Sequence, residues 1–412
     1  MADTSATQCP GTDSGEVPEP TPTSTPSKHR SRTALRRVLR WFGLGFAALI
    51  GLFVSWALFW TFYNPTVDQA APRVIHRTPL DPDEVTVVLG GDFAPTDVSL
   101  RVIQRRGYRY PYRRTARILR DADVSFLNLE APVTTSTRQF PLYKKYVYRV
   151  RPRATAAWQW LGLDLVSLAN NHMLDYRSRG LTDTVKHLDR ASIAHVGAGR
   201  NESAARRPVI FDVGGTRIGF LAYLESRIFW NLYLRTYAVG DRVGCARFER
   251  TDVARDVKRL RPLVDVLIVS VHWGDNYVGV SDAQKRAGRW LASLGVDVVA
   301  GHHSHDVQGM EVRGRRVILY SLGNYAWGTP GHGHMRIGLL ARLRITPRKG
   351  DEPGRLRGVE LLPIVTQNRI VRFSPRRLRP GELRWLDPFL KSSRKLGARL
   401  TVAGTTVNVG LD

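Results

Sequence analysis

Cysteine is nearly absent from this 412-residue sequence, which contains only Cys9 and Cys245. A chain of this length with two cysteines is not a disulfide-stabilised scaffold. Acidic residues are also few, at 36 against 62 lysines and arginines, so the formal net charge is +26. Such an excess of base indicates an anionic partner, namely nucleic acid, membrane headgroups or an acidic polymer, although a genome-wide bias toward arginine would produce it too.

Long apolar runs are absent except for one, at residues 41–63, which carries no charge over 23 residues. A single run excludes a polytopic membrane protein, and a helix of about 20 such residues crosses a bilayer. The run is longer than the apolar part of a signal peptide, and no small-residue cleavage site follows it. We therefore predict one transmembrane helix, in preference to a cleaved signal peptide or a buried core helix.

The predicted helix divides the chain into parts of different composition. Pro, Ser, Thr and Gly dominate the first 27 residues, and six bases follow in residues 28–40. The positive-inside rule places this end in the cytoplasm and the rest of the chain outside, in a single-pass protein of the cell membrane. The predicted parts are a disordered cytoplasmic tail with a basic flank (1–40), the transmembrane helix (41–63), a linker (64–82), a folded domain (83–375) and an unassigned C-terminal tail (376–412).

The charge belongs mainly to the exported part. Residues 64–412 hold 56 of the bases and 32 of the acids, which leaves a net charge of +24 there. No zinc-finger spacing, RNP motif or helix-turn-helix signal accompanies this charge. Nucleic acid is therefore not an expected partner; we expect the membrane and an anionic polymer of the cell envelope or a phosphoester substrate.

The exported part alternates between short apolar runs and longer helical patterns, which predicts a layered α/β domain. A Gly214-Gly215 pair between two runs predicts a hairpin, so the sheets are expected to be mixed. The predicted strands are 85–89, 124–127, 164–168, 209–213, 217–223, 265–271, 296–300 and 317–320. The predicted helices are 97–119, 154–162, 180–190, 251–261 and 281–294.

Several of these strands run directly into polar residues that bind metals in proteins, and such sites form at the carboxyl ends of strands. These residues are Asp92, Asn128, Glu130, Asn170, Asn171, His172, Asp175, His272, His302, His303, His305 and Asn324. Carboxylate, imidazole and amide ligands together suit a pair of divalent transition metals (Mn, Fe or Zn), and a shared carboxylate bridges such a pair. Asp175 follows His172 at a spacing that allows it to orient the imidazole for proton transfer.

Each cluster also has a structural interpretation when taken alone. Gly91-Asp92 is typical of a turn, Asn170 or Asn171 can cap a helix, and His272 can be a core histidine. Three histidines in four residues at 302–305 are harder to explain by structure. Other polar segments favour the structural interpretation. They are His187 and His195 (core or surface), His332 and His334 (edge of the site at most), and Tyr143–Tyr146 and the arginines of 101–114 (solvated faces or an anion channel).

The order of the motifs resembles the CapA/PgsA family of bacterial capsule and poly-γ-glutamate synthesis proteins, over about residues 85–330. The motifs are GGDF, NLEAPVT, SLANNHMLDY, HVGAGRNESAARRPVIF, SVHWGDNY and GHHSHDVQGMEVRGRRVILYSLGN. This family is similar to calcineurin-like metallophosphoesterases. The resemblance implies a four-layer α/β/β/α sandwich with a two-metal centre, and possible partners among the subunits of a polymer synthase.

By match to these motifs, the resemblance implies a set of metal ligands. That set is Asp92, Glu130, Asn171, His272, His303 and His305. His172 and Asp175 are predicted to be catalytic, and Asn128, His302 and Asn324 are predicted to contact substrate. Two positions depart from the family pattern: Asn276 replaces a glutamate, and Ser304 replaces a proline. We expect a membrane-anchored protein of capsule synthesis or export with a hydrolase-like site, or alternatively a non-catalytic scaffold that handles the polymer.

Overall fold

The computed structural model describes residues 28–62, 67–140, 144–328 and 336–411. His332 and His334 of the predicted site edge, and Tyr143, lie outside these ranges. The chain divides into two compact units, with the boundary after Phe62. The first contains helix α1, Lys28–Phe62, whose Arg36–Phe59 segment is long and apolar enough to cross a membrane.

The second unit contains short helices and many strands. Its helices are α2 Leu100–Arg106, α3 Ala116–Arg120, α4 Ala154–Leu161, α5 Arg177–Arg190, α6 Glu202–Ala205, α7 Ile228–Leu232, α8 Arg250–Leu260, α9 Asp282–Ser293, α10 Asn368–Val371 and α11 Asp387–Lys395. Its strands are β1 Arg73–Arg77, β2 Val85–Ala94, β3 Val124–Leu129, β4 Leu165–Ser167, β5 Ala194–Val196, β6 Ala198–Gly199, β7 Val209–Val213, β8 Thr216–Glu225, β9 Gly244–Cys245, β10 Arg247–Phe248, β11 Val266–His272, β12 Val298–His302, β13 Met310–Arg313, β14 Arg316–Leu319, β15 Asn324–Trp327, β16 Ile337–Thr346, β17 Arg355–Val365, β18 Arg376–Arg377, β19 Leu400–Ala403 and β20 Thr406–Val409.

Two large mixed sheets organise these strands. The first has the order β1-β7-β8-β11-β12-β14-β13, with β10 beside β8. The second has the order β19-β20-β17-β16-β2-β3-β4-β5, with β15 beside β2 and β18 beside β17. The predicted hairpin joins β7 to β8 through Gly214 and Gly215, whose φ angles of 56° and 88° suit a two-residue turn.

The two sheets pack face to face between outer helices. Phe126 of β3 stacks on Phe220 of β8 across the interface, with ring centroids 5.9 Å apart. Along β11, Ile268 belongs to this inner core, whereas Leu267 and Val269 pack with apolar residues of α8 and α9 on the other side. Strands buried on both faces read as continuous apolar runs, which is why the sequence identified them. The predicted α/β/β/α sandwich is confirmed.

Three segments differ from the sequence-based expectation. The helix predicted at 97–119 is interrupted after α2 by Gly107, whose φ is 85°, and by Pro111, and it resumes only at α3. Strand β1 lies within the stretch predicted as a linker and pairs with β7 as an exposed edge strand. Residues 376–411, which the sequence left unassigned, contribute β18, α11, β19 and β20, and β20 pairs with β17.

The sandwich brings the carboxyl ends of strands from both sheets to one place. In the second sheet Asp92 of β2 is in register with Asn128 of β3 on one side and with Asn324 of β15 on the other. In the first sheet His272 of β11 is in register with His302 of β12. Polar residues that are far apart in sequence therefore face one another across the top of the core.

Candidate metal centre

Glu130 lies at the middle of the polar cluster and is completely buried. Two groups of possible metal ligands share it: Glu130 with His272 and His303, and Glu130 with Asp92 and His305. Within each group, the ligand atoms lie within 4.8 Å of one another. A carboxylate common to two ligand groups is the arrangement that a pair of bridged cations requires.

Glu130 also lacks hydrogen-bond donors in the part of the chain that the structure describes. Neither of its carboxylate oxygens has a hydrogen-bond partner among the described residues, although both are buried. Burial, and then the negative charge of Asp92, raise the pKa of Glu130 well above its ordinary value. A buried carboxylate without donors is costly unless a cation or a proton compensates it.

Asp92 is held differently, by donors on several elements. Its Oδ1 accepts from Asn128 Nδ2 at 2.9 Å, and its Oδ2 accepts from the backbone N–H of His303 at 3.1 Å. Burial alone would raise the pKa of Asp92, but His302 and His305, whose Nδ1 atoms lie 3.4 and 3.3 Å from its oxygens, hold that pKa well below its usual range. The pKa values of the two buried carboxyl groups are therefore shifted in opposite directions, that of Asp92 downward and that of Glu130 upward.

The histidines around the two carboxylates present neutral nitrogens. His272 Nε2 lies 2.9 Å from Asn171 Oδ1 and 3.4 Å from Glu130 Oε1, so three ligand-type atoms converge there. Burial, and then the neighbouring imidazoles, lower the pKa of His272 and of His303 well below its ordinary value. Neutral imidazole is the form that binds a metal.

The loop after β12 has an unusual backbone conformation at two of its histidines. His303 and His305 have φ angles of 91° and 58°, a left-handed conformation that costs a non-glycine residue about 1–2 kcal/mol. Gly301 just before them has no room for a side chain, since a Cβ there would lie 1.9 Å from the Tyr320 carbonyl oxygen. Strain of this kind persists where the surroundings over-determine it, which occurs often at functional sites.

The three residues predicted to contact substrate lie beside the possible metal ligands. Asn128 bridges Asp92 and His272, because its Nδ2 is also 3.3 Å from His272 Nδ1. Asn324 Oδ1 lies 3.0 Å from His305 Nδ1. His302 is fully buried and belongs to neither ligand group. In this geometry Asn128 and Asn324 contact possible ligands through hydrogen bonds, and His302 Nδ1 lies 3.4 Å from Asp92 Oδ1. Their contact with substrate stays a prediction.

His172 and Asp175 form a separate pair beside the ligand groups. His172 Nδ1 lies 2.7 Å from Asp175 Oδ2, which also accepts from the Tyr148 backbone N–H at 2.7 Å. Burial lowers the pKa of His172 to about 4, against the opposing effect of Asp175. The ring is thus neutral at pH 7, with Nδ1–H directed to Asp175 and Nε2 left to exchange a proton.

Lys144 is part of this pair, which the sequence did not reveal. Its Nζ donates to Asp175 Oδ1 and, at 2.6 Å, to the Asn171 carbonyl oxygen. Only 12% of its side chain is exposed. The Tyr-Lys-Lys-Tyr segment reads as a solvated face, and no local pattern marks one of its lysines as buried. The predicted arginines of 101–114, in contrast, are exposed.

Aromatic side chains form further walls of the site that the sequence did not identify. The Tyr148 ring lies 4.3 Å from that of His172, and the Trp327 ring lies 4.4 Å from that of His305. Trp230 meets His303 edge to face at 5.5 Å. Apolar walls fix imidazole orientation and keep water from the ligand atoms.

Position 276, where the family pattern has a glutamate, adds no charge to the site. Asn276 is exposed, and neighbouring Asp275 is 71% exposed and paired with Arg227 at 3.0 Å. Neither residue belongs to a ligand group. Asp275 therefore does not substitute for the missing glutamate.

The residues present suit a metal pair. Neither the oxygens of Glu130 nor Nδ1 of His303 has a hydrogen-bond partner among the described residues, and a cation would satisfy these buried atoms. Each ligand group mixes carboxylate oxygen with imidazole nitrogen, and Asn171 Oδ1 adds an amide oxygen beside the first. Carboxylate oxygen, amide oxygen and imidazole nitrogen all bind divalent cations in proteins.

Comparison with known proteins identifies the family. The model of the bacterial capsule synthesis protein family PGA_cap matches residues 86–329, which is more than half of the chain. The chain belongs to this family. The match spans the strands that carry Asp92, His272 and Asn324, so all of the predicted site residues lie within it.

Curated relatives agree with this assignment. A probable polyglutamine synthesis accessory protein of Mycobacterium tuberculosis is 30% identical over 366 residues, which cover 78% of this chain and 94% of that protein. The capsule biosynthesis protein CapA of Bacillus anthracis is 25% identical over 266 residues, or 63% of each chain. The PGA biosynthesis protein CapA of Bacillus subtilis is 25% identical over 236 residues, 55% of this chain and 59% of that protein.

Proposed function

We propose that this chain is a membrane-anchored accessory protein in the synthesis or export of poly-γ-glutamate or a related anionic envelope polymer. Its domain outside the membrane would carry a two-metal centre of the hydrolytic type. Membership of the capsule synthesis family supports the first part, and the relatives named for capsule or polyglutamine synthesis support the polymer class. The apolar helix α1 supports anchoring, and the basic flank at 28–40 supports a cytoplasmic N-terminus.

The observation that carries the metal centre is the environment of Glu130. Its two buried oxygens have no hydrogen-bond partner among the described residues. Glu130 belongs both to the group with His272 and His303 and to the group with Asp92 and His305. In the proposal these five residues hold the ions, and Asn171 adds an amide oxygen beside His272. A pair of divalent ions supplies Lewis-acid chemistry, in which it polarises a substrate oxygen and activates water for attack.

His172 is proposed to move the proton in such a reaction. Because its Nδ1–H is directed to Asp175 and its pKa is about 4, Nε2 carries a lone pair at neutral pH. The residue is therefore ready to accept a proton at Nε2, and it can deliver one to a leaving oxygen only after it has been protonated. Asp175 and Lys144 keep the ring in this orientation.

The test is metal analysis of the purified full-length chain in detergent, together with a phosphodiester assay on bis-p-nitrophenyl phosphate. We expect bound Mn, Fe or Zn and metal-dependent cleavage, both reduced by Glu130→Gln. A chain that binds none of the three metals, even when they are supplied at excess, refutes the proposed centre.

The neutral, exposed Asn276 favours a second candidate, a scaffold that handles the polymer without hydrolysis. The two candidates differ in a cellular experiment. His303→Ala with His305→Ala abolishes polymer output if hydrolysis is needed, and leaves it unchanged if the domain only holds or transfers the polymer.

A further inference from the structure

A cavity of about 490 Å³ lies in the domain away from the metal centre, and none of the possible metal ligands lines it. It is formed where β1, β5 and β6 meet the ends of α5 and α6, so segments distant in sequence contribute to it. Its volume is within the range of about 300–1,000 Å³ that is usual for ligand sites. The backbone of Ala198 and Gly199 forms part of its wall.

Three arginines from three different segments line this cavity: Arg73 on β1, Arg200 after β6, and Arg207 after α6. Asp189 is the acidic lining residue, and its Oδ1 lies 3.3 Å from a guanidinium nitrogen of Arg73. Arg200 and Arg207 are exposed and form no ion pair with the residues that the structure describes. The formal charge of the lining is therefore +2, concentrated on two guanidinium groups without a protein anion.

His195 lines the same cavity, and the nearby charges affect its pKa. Its Nε2 is 3.7 Å from Asp189 Oδ1, and its Nδ1 is buried without a hydrogen-bond partner among the described residues. Burial lowers the pKa of His195 to about 4; Asp189 opposes this effect, whereas Arg73 and Arg207 add to it. The imidazole is thus neutral at pH 7 and adds no charge to the lining.

We propose that this cavity is an anion-binding site, separate from the metal centre, which takes carboxylate groups of an acidic polymer through Arg200 and Arg207. Guanidinium is a planar fork that pairs with a carboxylate through two parallel hydrogen bonds. The identity of the polymer as a γ-linked glutamate chain rests on the proposed function, whereas the anion site rests on the cavity and its charges.

The test measures binding of a fluorescent γ-linked decaglutamate to the full-length protein in an uncharged detergent, by anisotropy at 0.1 M salt. The variant is Arg200→Gln with Arg207→Gln, which removes both exposed cations without breaking an ion pair seen in the described chain. The matched control is Arg101→Gln with Arg105→Gln, which removes the same charge from exposed positions on α2. Inorganic phosphate serves as a competing probe.

We expect the cavity variant to weaken binding by about tenfold or more, since two charge-assisted contacts are lost, and the control to stay within about twofold of the wild type. Equal losses in both variants, or no loss in the cavity variant, overturn the proposal. Phosphate that binds the wild type more tightly than the decaglutamate overturns the assignment to carboxylate.

The failure of this proposal is distinguishable from that of the proposed metal centre. The cavity variant is expected to keep the metal content and phosphodiesterase activity of the wild type, because none of its changes touches a ligand group. Conversely, a protein that lacks metal but binds the decaglutamate through Arg200 and Arg207 would refute the centre and support the anion site.

Discussion

Replacing Glu130 with Gln is expected to have opposite effects on thermal stability with and without metal. Glutamine keeps the shape of the side chain but removes the charge, so it cannot bridge two cations. In the metal-free protein the same change removes a buried carboxyl whose two oxygens have no hydrogen-bond partner among the described residues. The variant should therefore unfold at the same temperature as the wild type or higher in chelator, and at a lower temperature than the wild type in metal.

The size of the metal effect follows from mass action. One ion at a concentration 100 times its dissociation constant adds about 2.7 kcal/mol to the free energy of unfolding. The unit from Tyr63 to Asp412 has about 350 residues, so its entropy of unfolding is about 0.7 kcal/mol/K. Each ion should then raise the melting temperature by about 4 °C, and a pair by about 7–8 °C, of which Glu130→Gln should lose most.

The pH dependence of the unfolding free energy in chelator provides a second test of Glu130. Because burial raises the pKa of Glu130 above its unfolded value of about 4.5, the folded state binds the proton more tightly. The wild type should therefore lose unfolding free energy as the pH rises above 4.5, by up to about 1.4 kcal/mol per pH unit, until the folded pKa is passed. The glutamine variant should lack this loss.

The assay is scanning calorimetry of the full-length chain in detergent, with Mn or Zn and with EDTA. Glu311→Gln is the matched control, since Glu311 is also buried but is paired with Arg289 and Arg313 and accepts from the Tyr320 hydroxyl. It should lower the melting temperature by the same amount in metal and in EDTA. A Glu130→Gln protein whose metal-induced shift equals that of the wild type would refute the bridging role.

Three further predictions concern other parts of the domain. Lys144→Met should reduce phosphodiesterase turnover by about 10–100-fold with metal content unchanged, because Asp175 loses a buried partner that fixes its orientation. Gly301→Ala should destabilise the domain by several kcal/mol in chemical denaturation, since its Cβ would overlap the Tyr320 carbonyl. Glu382→Gln should cost about 1 kcal/mol of unfolding free energy above pH 4.5, and this cost should shrink as the pH falls below 4.5 and vanish only below pH 2. The reason is that hydrogen bonds, first from Arg376, lower the pKa of Glu382 to about 2, so its stabilising charge is lost as the pH falls through that value.

Each of these has a control or a contradicting result. Lys144→Arg should restore part of the turnover, and full activity of the methionine variant would contradict the positioning role. Gly279→Ala, where a Cβ meets nothing within 4 Å, should leave stability within about 0.5 kcal/mol of the wild type. A stability difference between the wild type and Glu382→Gln that is as large at pH 2 as at pH 7 would contradict the assigned pKa.

The apolar strands and the residues that follow them could be predicted from the sequence because both depend on local pattern. A strand buried on both faces needs a continuous apolar run, and the carboxyl ends of such strands share an edge, so Asp92, His272 and His302 were expected to lie together. Lys144 could not be predicted in this way. Its burial depends on Asp175 and the Asn171 carbonyl, which lie about 30 positions further along the chain.

The C-terminal strands show a similar limit. β19 and β20 are short, and most of their residues are partly or fully exposed, so they lack the apolar signature of a core strand. Their position is decided by pairing with the edge of β17, which is a non-local event. The Arg376–Glu382 pair in the same region is likewise a contact between residues whose local sequence is typical of a loop.

The charge of the domain cannot be explained by the metal centre. Among the described residues of the centre, Asp92 is ionised, the histidines with lowered pKa values are neutral, and the charge of Lys144 is matched by that of Asp175. An anionic substrate would therefore find no net positive potential there from the protein itself, and the attraction at the site must come from the ions. The excess of base in residues 64–412 acts elsewhere on the surface. The cavity with Arg200 and Arg207 concentrates two cations that have no ion-pair partner among the described residues. A polymer long enough to reach both places could be retained by the arginines while one of its groups lies at the ions, and the affinity for such a chain should then fall steeply with salt even where the metal centre is intact.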